Sequence, residues 1–161
     1  MKRIDSTLLD QTSRLAKESP RRRMNFNFHL FPEDTLQRLL NAIEPYSYIQ
    51  PHKHELPDKR EVFFALKGRI VVLEFDNDGN ICDHIILDPT VGNFGAEIDA
   101  RTWHTIISLE PGSVAYEFKD GPYNPIDDKN FAPWAPKEGS AEVEKYMNGI
   151  FAILGFSPVS K

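Results

Sequence analysis

The sequence predicts a mainly β protein, an antiparallel barrel or sandwich with helical segments at both ends. Between residues 46 and 120, apolar side chains recur with a period of two in short runs, which is the pattern of strands. Turn-forming residues separate these runs, and few helical patterns lie between them. Neighbouring strands are therefore expected to pair in an antiparallel manner.

Length and composition indicate one domain over residues 1–161. Hydrophobic residues make up 40% and charged residues 27% of the 161 residues, as in a globular protein with one core. The net charge of −5 gives no support to nucleic-acid binding. Because there is one cysteine, no run apolar enough to cross a membrane and no secretory signal, we expect a cytoplasmic protein.

Helical patterns are predicted at two places in an N-terminal region, residues 1–45. The first helix spans residues 5–18, with Ser6 as its N-cap. The second runs from Pro32 to about Ile43, where apolar residues at i, i+3, i+4 and i+7 give one buried stripe. The residues of this stripe are Leu36, Leu39, Leu40 and Ile43.

Residues 25–30 alternate between polar and apolar side chains and predict a strand between the two helices. Its apolar face would turn inward, with Phe26, Phe28 and Leu30. His29 would then face outward, toward solvent or toward a substrate. The preceding run Arg21–Arg23 is either a solvated turn or a contact for phosphate or carboxylate, because guanidinium groups bind both in a bidentate manner.

The predicted β core covers residues 46–120. Its first strand would carry five residues on one face, namely Tyr46, Tyr48, Gln50, His52 and His54. The next strand, residues 61–67, would carry Glu61, Phe63 and Ala65 on one face. Residues 69–75 and 81–87 flank a stretch with Asp-Gly, a strong signal for a hairpin.

Three more strands are predicted at residues 93–98, 101–109 and 113–119, and the last would carry Val114, Tyr116 and Phe118 on one face. His84, in the second hairpin strand, has no partner at ligand spacing and is expected at the surface. Residues 121–161 form a loop with Pro122, Pro125, Pro133 and Pro136, followed by a helix over residues 142–154. This segment is interpreted as a flap that seals one end of the barrel, with a dimer contact or a mobile lid as alternatives.

Three histidines and one glutamate are candidate ligands of a divalent metal. His52 and His54, at i and i+2, project from the same face of a strand. Glu61 heads the following strand, and His104 lies further along the chain. Imidazole and carboxylate groups together suit first-row divalent metals. Glu55 competes as the carboxylate, but its parity opposes that of the two histidines.

This spacing resembles the two signature motifs of the cupin superfamily, small β-barrels with a metal in the barrel mouth. The first motif has His-x-His, a glutamate, six residues and a glycine, and here these are His52, His54, Glu61 and Gly68. The gap between His54 and Glu61 is longer than is usual in the motif. The second motif ends in Gly-x-x-His, and here Arg101 replaces that glycine ahead of His104.

The chain more specifically resembles the WbuC family, including the run of residues 21–29 ahead of the barrel. Members are cupin-fold metalloproteins whose genes often lie among O-antigen and other surface-polysaccharide genes. The resemblance implies a cupin-type antiparallel β-barrel (a double-stranded β-helix, or jelly roll) with N-terminal helices and a short C-terminal helix. By analogy it also implies a homodimer.

Four ligands of type N3O leave one or two coordination positions for water or a substrate oxygen. The metal would be Fe, Mn, Ni, Co or Zn, since the ligand types do not choose among them. The resemblance implies a small polar substrate, a sugar or nucleotide sugar of surface-polysaccharide biosynthesis, and an isomerase or epimerase reaction. Candidate substrate contacts are Tyr48, Gln50, Arg69, Arg101 and Tyr116.

Three other functions are compatible with the same residues. The first is an Fe(II)-dependent dioxygenase that uses the same metal site. The second is a non-catalytic binding or sensor protein that holds a small molecule in the barrel. In the third, the metal has a structural role alone, and its removal would unfold the domain.

Overall fold

Ten strands and two helices make up the described parts of the chain, residues 1–124 and 129–157, in the computed structural model. The helices are α1 (Ser6–Glu18) and α2 (Val143–Ile153). The strands are β1 (Arg23–Asn27), β2 (Leu36–Ile43), β3 (His52–Lys53), β4 (Glu61–Lys67), β5 (Ile70–Phe75), β6 (Ile81–Leu87), β7 (Gly95–Ile98), β8 (Trp103–Ser108), β9 (Ser113–Asp120) and β10 (Asn130–Phe131). Pro125, part of the predicted C-terminal loop, lies outside the described residues.

The strands form two antiparallel sheets that face each other across the core. The first sheet has the order β1-β2-β9-β4-β7, and the second has the order β10-β3-β8-β5-β6. Apolar residues of both sheets meet between them, among them Ile43, Phe63, Val72, Ile106 and Ala115. This is the mainly β, antiparallel architecture that was predicted, with its strands divided between two facing sheets.

One helix covers the outer face of each sheet. Leu9 and Ala16 of α1 pack against Leu40 and Val114 on the first sheet. Met147, Ile150 and Phe151 of α2 pack with residues of β5 and β8 on the second sheet. The C-terminal helix therefore lies against the side of the β structure, whereas the sequence was interpreted as a flap over one end. Within the described ranges, neither helix is long and apolar enough to cross a membrane.

The predicted second helix of the N-terminal region is wrong, because residues 36–43 form strand β2. This strand lies between β1 and β9 and is buried on both faces. Leu40 faces α1, whereas Ile43 faces the other sheet. Apolar residues on both faces of a strand produced the spacing that resembled one stripe of a helix.

The neighbouring strand β1 is shorter than predicted and is turned differently. Phe28 is buried, but it packs beneath α1, and Phe26 and Leu30 are exposed. The opposite face of β1 carries Asn25 and Asn27 toward the interior side of the first sheet. The polar residues of this segment therefore face a cavity, whereas its aromatic residues were expected inside.

Other elements agree closely with the sequence. Helix α1 has the predicted extent, although its N-cap is Asp5, whose side chain accepts a hydrogen bond from Leu8 N at 3.1 Å. The β5–β6 hairpin turns at Gly79, which has a φ of 88°. His84 on β6 is exposed, as predicted.

Candidate metal centre

Two paired strands of the second sheet bring two histidines together. His52 on β3 lies directly opposite His104 on β8, so their side chains project from the same face. Their ring centroids are 4.6 Å apart. His54 follows β3 immediately, and its ring centroid is 5.2 Å from that of His52. The i, i+2 spacing therefore places both histidines at one point, as predicted.

The carboxylate comes from the facing sheet. Glu61 begins β4, and its Oε1 lies 3.0 Å from His54 Nε2 while its Oε2 lies 2.9 Å from His104 Nε2. One candidate ligand atom from each of the four side chains lies within 4.8 Å of the others, and each residue is at most 3% exposed. The structure thus brings together His52, His54, Glu61 and His104, which we call the metal cluster.

The hydrogen bonds behind the rings indicate which nitrogens face the centre. Nδ1 of His52 lies 3.0 Å from the carbonyl of Gln50, and Nδ1 of His104 lies 2.8 Å from that of Thr102. A carbonyl only accepts, so each Nδ1 must carry its proton, and the lone pair of the neutral ring is then on Nε2. Such contacts to the backbone are typical of histidines that bind metals.

A buried atom without a partner supports the same assignment. Nε2 of His52 is buried and has no hydrogen-bond partner among the described residues. Distances near 3.0 Å between Glu61 and two Nε2 atoms also place these donor atoms close enough together that they could hold one ion. The four side chains therefore fit a divalent transition metal.

Burial and charge set the protonation states of the metal cluster. Burial lowers the pKa of His52 well below its usual value, and the positive charges of Lys129 and His104 act in the same direction. Burial alone would raise the pKa of Glu61. The close contacts with His104 and His54 outweigh it and hold that pKa well below its usual value. A neutral imidazole and an ionised carboxylate are the forms that bind metal ions.

A cavity of about 720 Å³ lies near the metal cluster, although its lining residues include none of the four side chains of the cluster. Polar side chains from β1, β2 and β9 line its floor, namely Asn25, Asn27, Asn41, Glu117 and Lys119. Lys119 connects floor and cluster, because its Nζ lies 3.6 Å from Oε1 of Glu61. Phe31, Tyr123 and Phe131 add aromatic surface to the cavity. The metal cluster is thus next to a space large enough for a small molecule.

Glu117 is a buried acid of the cavity that the metal cluster does not use. Its Oε2 accepts a hydrogen bond of 3.0 Å from Asn41 Nδ2. Burial raises the pKa of Glu117, and the negative charge of Glu61 raises it further. Glu117 and Lys119 were not among the site residues predicted from the sequence. The signal in the sequence was the alternation within β9, where Glu117 and Lys119 occupy one face and Tyr116 and Phe118 the other.

Of the five predicted substrate contacts, Gln50 lines the cavity. Tyr48 is buried elsewhere, and its hydroxyl donates to the carbonyl of Pro136 at 2.7 Å. Tyr116 packs on the outer face of the first sheet, with its ring centroid 5.4 Å from that of Phe28. Tyr48 differs from the expectation because the predicted strand from Tyr46 is irregular until β3 begins at His52. Tyr116 differs because it lies on the face of β9 that α1 covers.

The two predicted arginine contacts lie in exposed turns. Arg69 Nε is 3.5 Å from Oδ2 of Asp88, and Arg101 Nε is 2.8 Å from Oδ1 of Asp58. Neither arginine lines the cavity described above. Each arginine side chain is therefore oriented by a carboxylate of the protein itself.

The arginine run at residues 21–23 does bind a carboxylate, that of Glu138. Arg21 and Arg23 each donate to both oxygens of Glu138 over 2.8–2.9 Å. All three side chains line the cavity. Burial alone would raise the pKa of Glu138, but these hydrogen bonds lower it to about 2. The arginines thus hold the C-terminal segment beside the cavity.

Comparisons with known proteins relate the chain to one family and to several structures. A family model described as a domain of unknown function (DUF6016) matches residues 4–87, just over half of the chain. The matched region includes His52, His54 and Glu61. No curated protein matches the sequence.

Three solved structures illustrate the similarity of fold. KdgF from Halomonas sp. has a TM-score of 0.51 and 17% identity over 66% of this chain and 84% of its own. The capsular polysaccharide assembling protein CapF from Staphylococcus aureus has a TM-score of 0.51 and 20% identity over 62% of this chain and 27% of its own. The protein TT1209 from Thermus thermophilus has a TM-score of 0.52 and 20% identity over 77% of this chain and 100% of its own. At these identities the likeness establishes a shared fold alone.

Proposed function

The chain belongs to the family described as a domain of unknown function (DUF6016), and from its site we propose that it is a metal-dependent enzyme acting on a small hydroxylated substrate. The observation that carries this proposal is the position of the metal cluster beside a polar cavity of about 720 Å³. Ligand pockets of enzymes typically have volumes of about 300–1,000 Å³.

His52, His54, Glu61 and His104 would hold the ion, which we propose to be Fe, Mn, Ni, Co or Zn. When bound, such an ion supplies Lewis-acid polarisation of a substrate oxygen. The facing sheets bury all four side chains, and this fixes their orientation and limits the access of water. Bulk solvent therefore competes less with a substrate at this point.

Glu117 and Lys119 are the side chains that we assign to proton transfer. Both line the cavity, and Lys119 lies within 3.6 Å of the metal cluster. Burial raises the pKa of Glu117, as does the nearby charge of Glu61, and a raised pKa makes a carboxyl group better able to take up and return a proton. The reaction class we propose is proton transfer at a carbon atom, as in an isomerase or epimerase.

A sugar or nucleotide sugar is the substrate class that we propose. Amide and carboxylate side chains of the floor can exchange hydrogen bonds with hydroxyl groups, and the aromatic residues of the cavity can contact the apolar face of a sugar ring. The resemblance to the WbuC family supports a role in surface-polysaccharide biosynthesis. CapF, which shares the fold, is described as a capsular polysaccharide assembling protein.

The test combines metal analysis with a substrate panel. The purified protein is loaded separately with each of the five metals and incubated with a panel of sugars and nucleotide sugars. We expect about one metal ion per chain and turnover that His104→Ala abolishes, whereas His84→Ala, at an exposed position on β6, retains it. Absence of turnover with every metal would contradict the proposal.

Three further outcomes identify the alternatives. Oxygen uptake that depends on Fe(II) would replace the isomerase proposal with a dioxygenase. A tightly held small molecule that is recovered unchanged would indicate a binding or sensor protein. Loss of folded structure on metal removal, with no ligand bound, would leave the metal a structural role.

We also propose that the protein acts in the cytoplasm as a homodimer. A second copy would cover the exposed apolar side chains along one side of the first sheet, namely Phe64, Leu66, Val91 and Phe94. Light scattering at several concentrations tests the dimer, and a monomer mass throughout would exclude it.

A further inference from the structure

We propose that Asn41 and Glu117 form a subsite that binds hydroxyl groups of the substrate in the cavity near the metal cluster. This subsite rests on the metal-dependent function proposed above. It specifies the part of the substrate that lies farther from the metal, namely a hydroxylated carbon chain or ring.

The first observation is a buried acceptor without a donor. Asn41 is 6% exposed, and its Oδ1 has no hydrogen-bond partner among the described residues. Its Nδ2 donates to Glu117 Oε2 at 3.0 Å, which fixes the orientation of the amide. A buried polar atom that is left without a partner costs free energy. A pair with a purely structural role would be expected to satisfy both ends of this amide.

The second observation is the place of the pair in the sheet. Asn41 on β2, Glu117 on β9 and Glu61 on β4 all face the interior side of three adjacent strands. Asn41 lies opposite Ala115 and Glu61 lies opposite Lys119, so Asn41 and Glu61 are two strands (about 10 Å) and four residues along the strand (about 14 Å) apart, roughly 17 Å between their backbones. Asn41 and Glu117 both line the cavity. A sugar that carries a further sugar or nucleotide unit can therefore extend from the region of the metal cluster to Asn41.

The chemistry of the two groups selects the ligand. Oδ1 of Asn41 only accepts, so the group that it binds must donate through O–H or N–H. Glu117 accepts when ionised and donates when protonated, so it can serve a second, adjacent hydroxyl. Two neighbouring hydroxyls of a sugar meet both requirements. A carboxylate or phosphate, which has acceptors alone, does not satisfy Oδ1 of Asn41.

Saturation-transfer NMR on the metal-loaded protein provides the test, with free hexoses and their monodeoxy analogues as probes. We expect hexoses to bind, and the loss of one critical hydroxyl to weaken binding about tenfold. Asn41→Ser removes the amide carbonyl and should weaken hexose binding by a similar factor. Asn93→Ser, at an exposed position outside the cavity, should change it less than threefold.

A stability measurement separates a binding role from a structural one. The double variant Asn41→Leu/Glu117→Leu replaces the polar pair with apolar side chains. If the pair exists for binding, its removal should raise the melting temperature by about 2–4 °C while hexose binding is lost. A fall of several degrees, or failure of this variant to fold, would overturn the proposal.

The possible results distinguish this subsite from the proposed enzyme. Equal hexose binding by wild type and Asn41→Ser would refute the subsite, even if metal-dependent turnover were found. Loss of binding in Asn41→Ser without turnover of any substrate would support the subsite and contradict the enzyme. If no hexose binds to the metal-loaded wild type, the hydroxyl subsite is wrong, whereas turnover of another substrate would still support the enzyme.

Discussion

The Nε2 atom of His104 lies 2.9 Å from Oε2 of Glu61, and each of these two side chains is 2% exposed. Because Nδ1 of His104 faces the carbonyl of Thr102, Nε2 of the neutral ring carries a lone pair. A lone pair and a carboxylate oxygen repel each other at this distance unless a cation lies between them. The arrangement of these two atoms therefore favours a bound cation.

Glu61→Gln should therefore impair both the loaded and the metal-free protein. It removes the negative charge and should weaken metal binding by roughly a hundredfold or more. In the metal-free state it leaves two buried histidines without their carboxylate, which should lower the free energy of unfolding by about 3–5 kcal/mol. Metal titration and urea denaturation measure the two effects.

The matched control for this change is Glu97→Gln. Glu97 is exposed on β7, the strand paired with β4, so its loss should alter neither measurement by more than about 0.5 kcal/mol. Wild-type metal affinity in Glu61→Gln would show that the carboxylate is not a ligand.

Metal removal should lower the melting temperature, and His52→Gln should eliminate this response. An ion present at 100 times its dissociation constant stabilises the folded state by about 2.7 kcal/mol, or about 5–10 °C for a chain of this size. Nε2 of His52 has no hydrogen-bond partner among the described residues and is assigned to the ion, and the variant lacks this ligand atom. Thermal melts with added metal and with chelator test this prediction.

His84→Gln is the control for the His52 variant, because His84 is exposed on β6. This variant should keep the full difference in melting temperature between the metal-loaded and the metal-free protein. A persistent metal-dependent rise in the melting temperature of His52→Gln would exclude His52 as a ligand.

The sequence predicted the metal cluster because most of its geometry is local. His52 and His54 share a strand face by their spacing alone, and Glu61 begins the next strand. His104 is distant in sequence, and its inclusion depended on resemblance to a family motif. Its position opposite His52 on a paired strand is a property of the sheet, which spacing does not reveal.

The remainder of the cavity could not be predicted, because it depends on which face of each strand turns inward. In β9, the aromatic face with Tyr116 appeared to be the interior one, but α1 covers that side of the sheet. The polar face with Glu117 and Lys119 lies against the cavity. Hydrophobic alternation identifies two faces but does not distinguish the core between the sheets from the layer beneath a helix.

Glu138→Gln should destabilise the protein at pH 7 and have little effect below about pH 2.5. The folded-state pKa of Glu138 is about 2, against 4.5 for the free group. Ionised Glu138 therefore contributes its full stability above pH 4.5, and this contribution is lost as the pH falls toward 2. The group is partly exposed, so we expect about 1 kcal/mol at pH 7.

Thermal melts of wild type and Glu138→Gln at pH 7, 4.5, 3.5 and 2.5 measure this difference. Glu33→Gln, at an exposed position, serves as the control and should melt within about 1 °C of wild type throughout. If the difference in melting temperature between Glu138→Gln and wild type did not change with pH, the stabilising contact with the two arginines would not depend on the charge of Glu138.

Arg101→Gly should be more stable than Arg101→Ala by about 1 kcal/mol. Arg101 stands where the related motif has glycine, and its φ is 68°, so the loop keeps the left-handed conformation that glycine adopts without strain. Both variants lose the contact with Asp58, so their difference isolates the backbone cost. By contrast, Gly68, with a φ of 73°, retains the motif residue, and a Cβ there would lie 2.8 Å from Cα of Ser113.

Urea denaturation of the metal-free variants measures this difference, and metal content is the accompanying control. Arg101 N donates to the carbonyl of His54 at 3.0 Å, a backbone contact that both substitutions preserve. Metal binding should therefore stay within about threefold of wild type in Arg101→Gly, since the ligands keep their support. Equal stability of the glycine and alanine variants would show that the left-handed conformation at position 101 carries no strain.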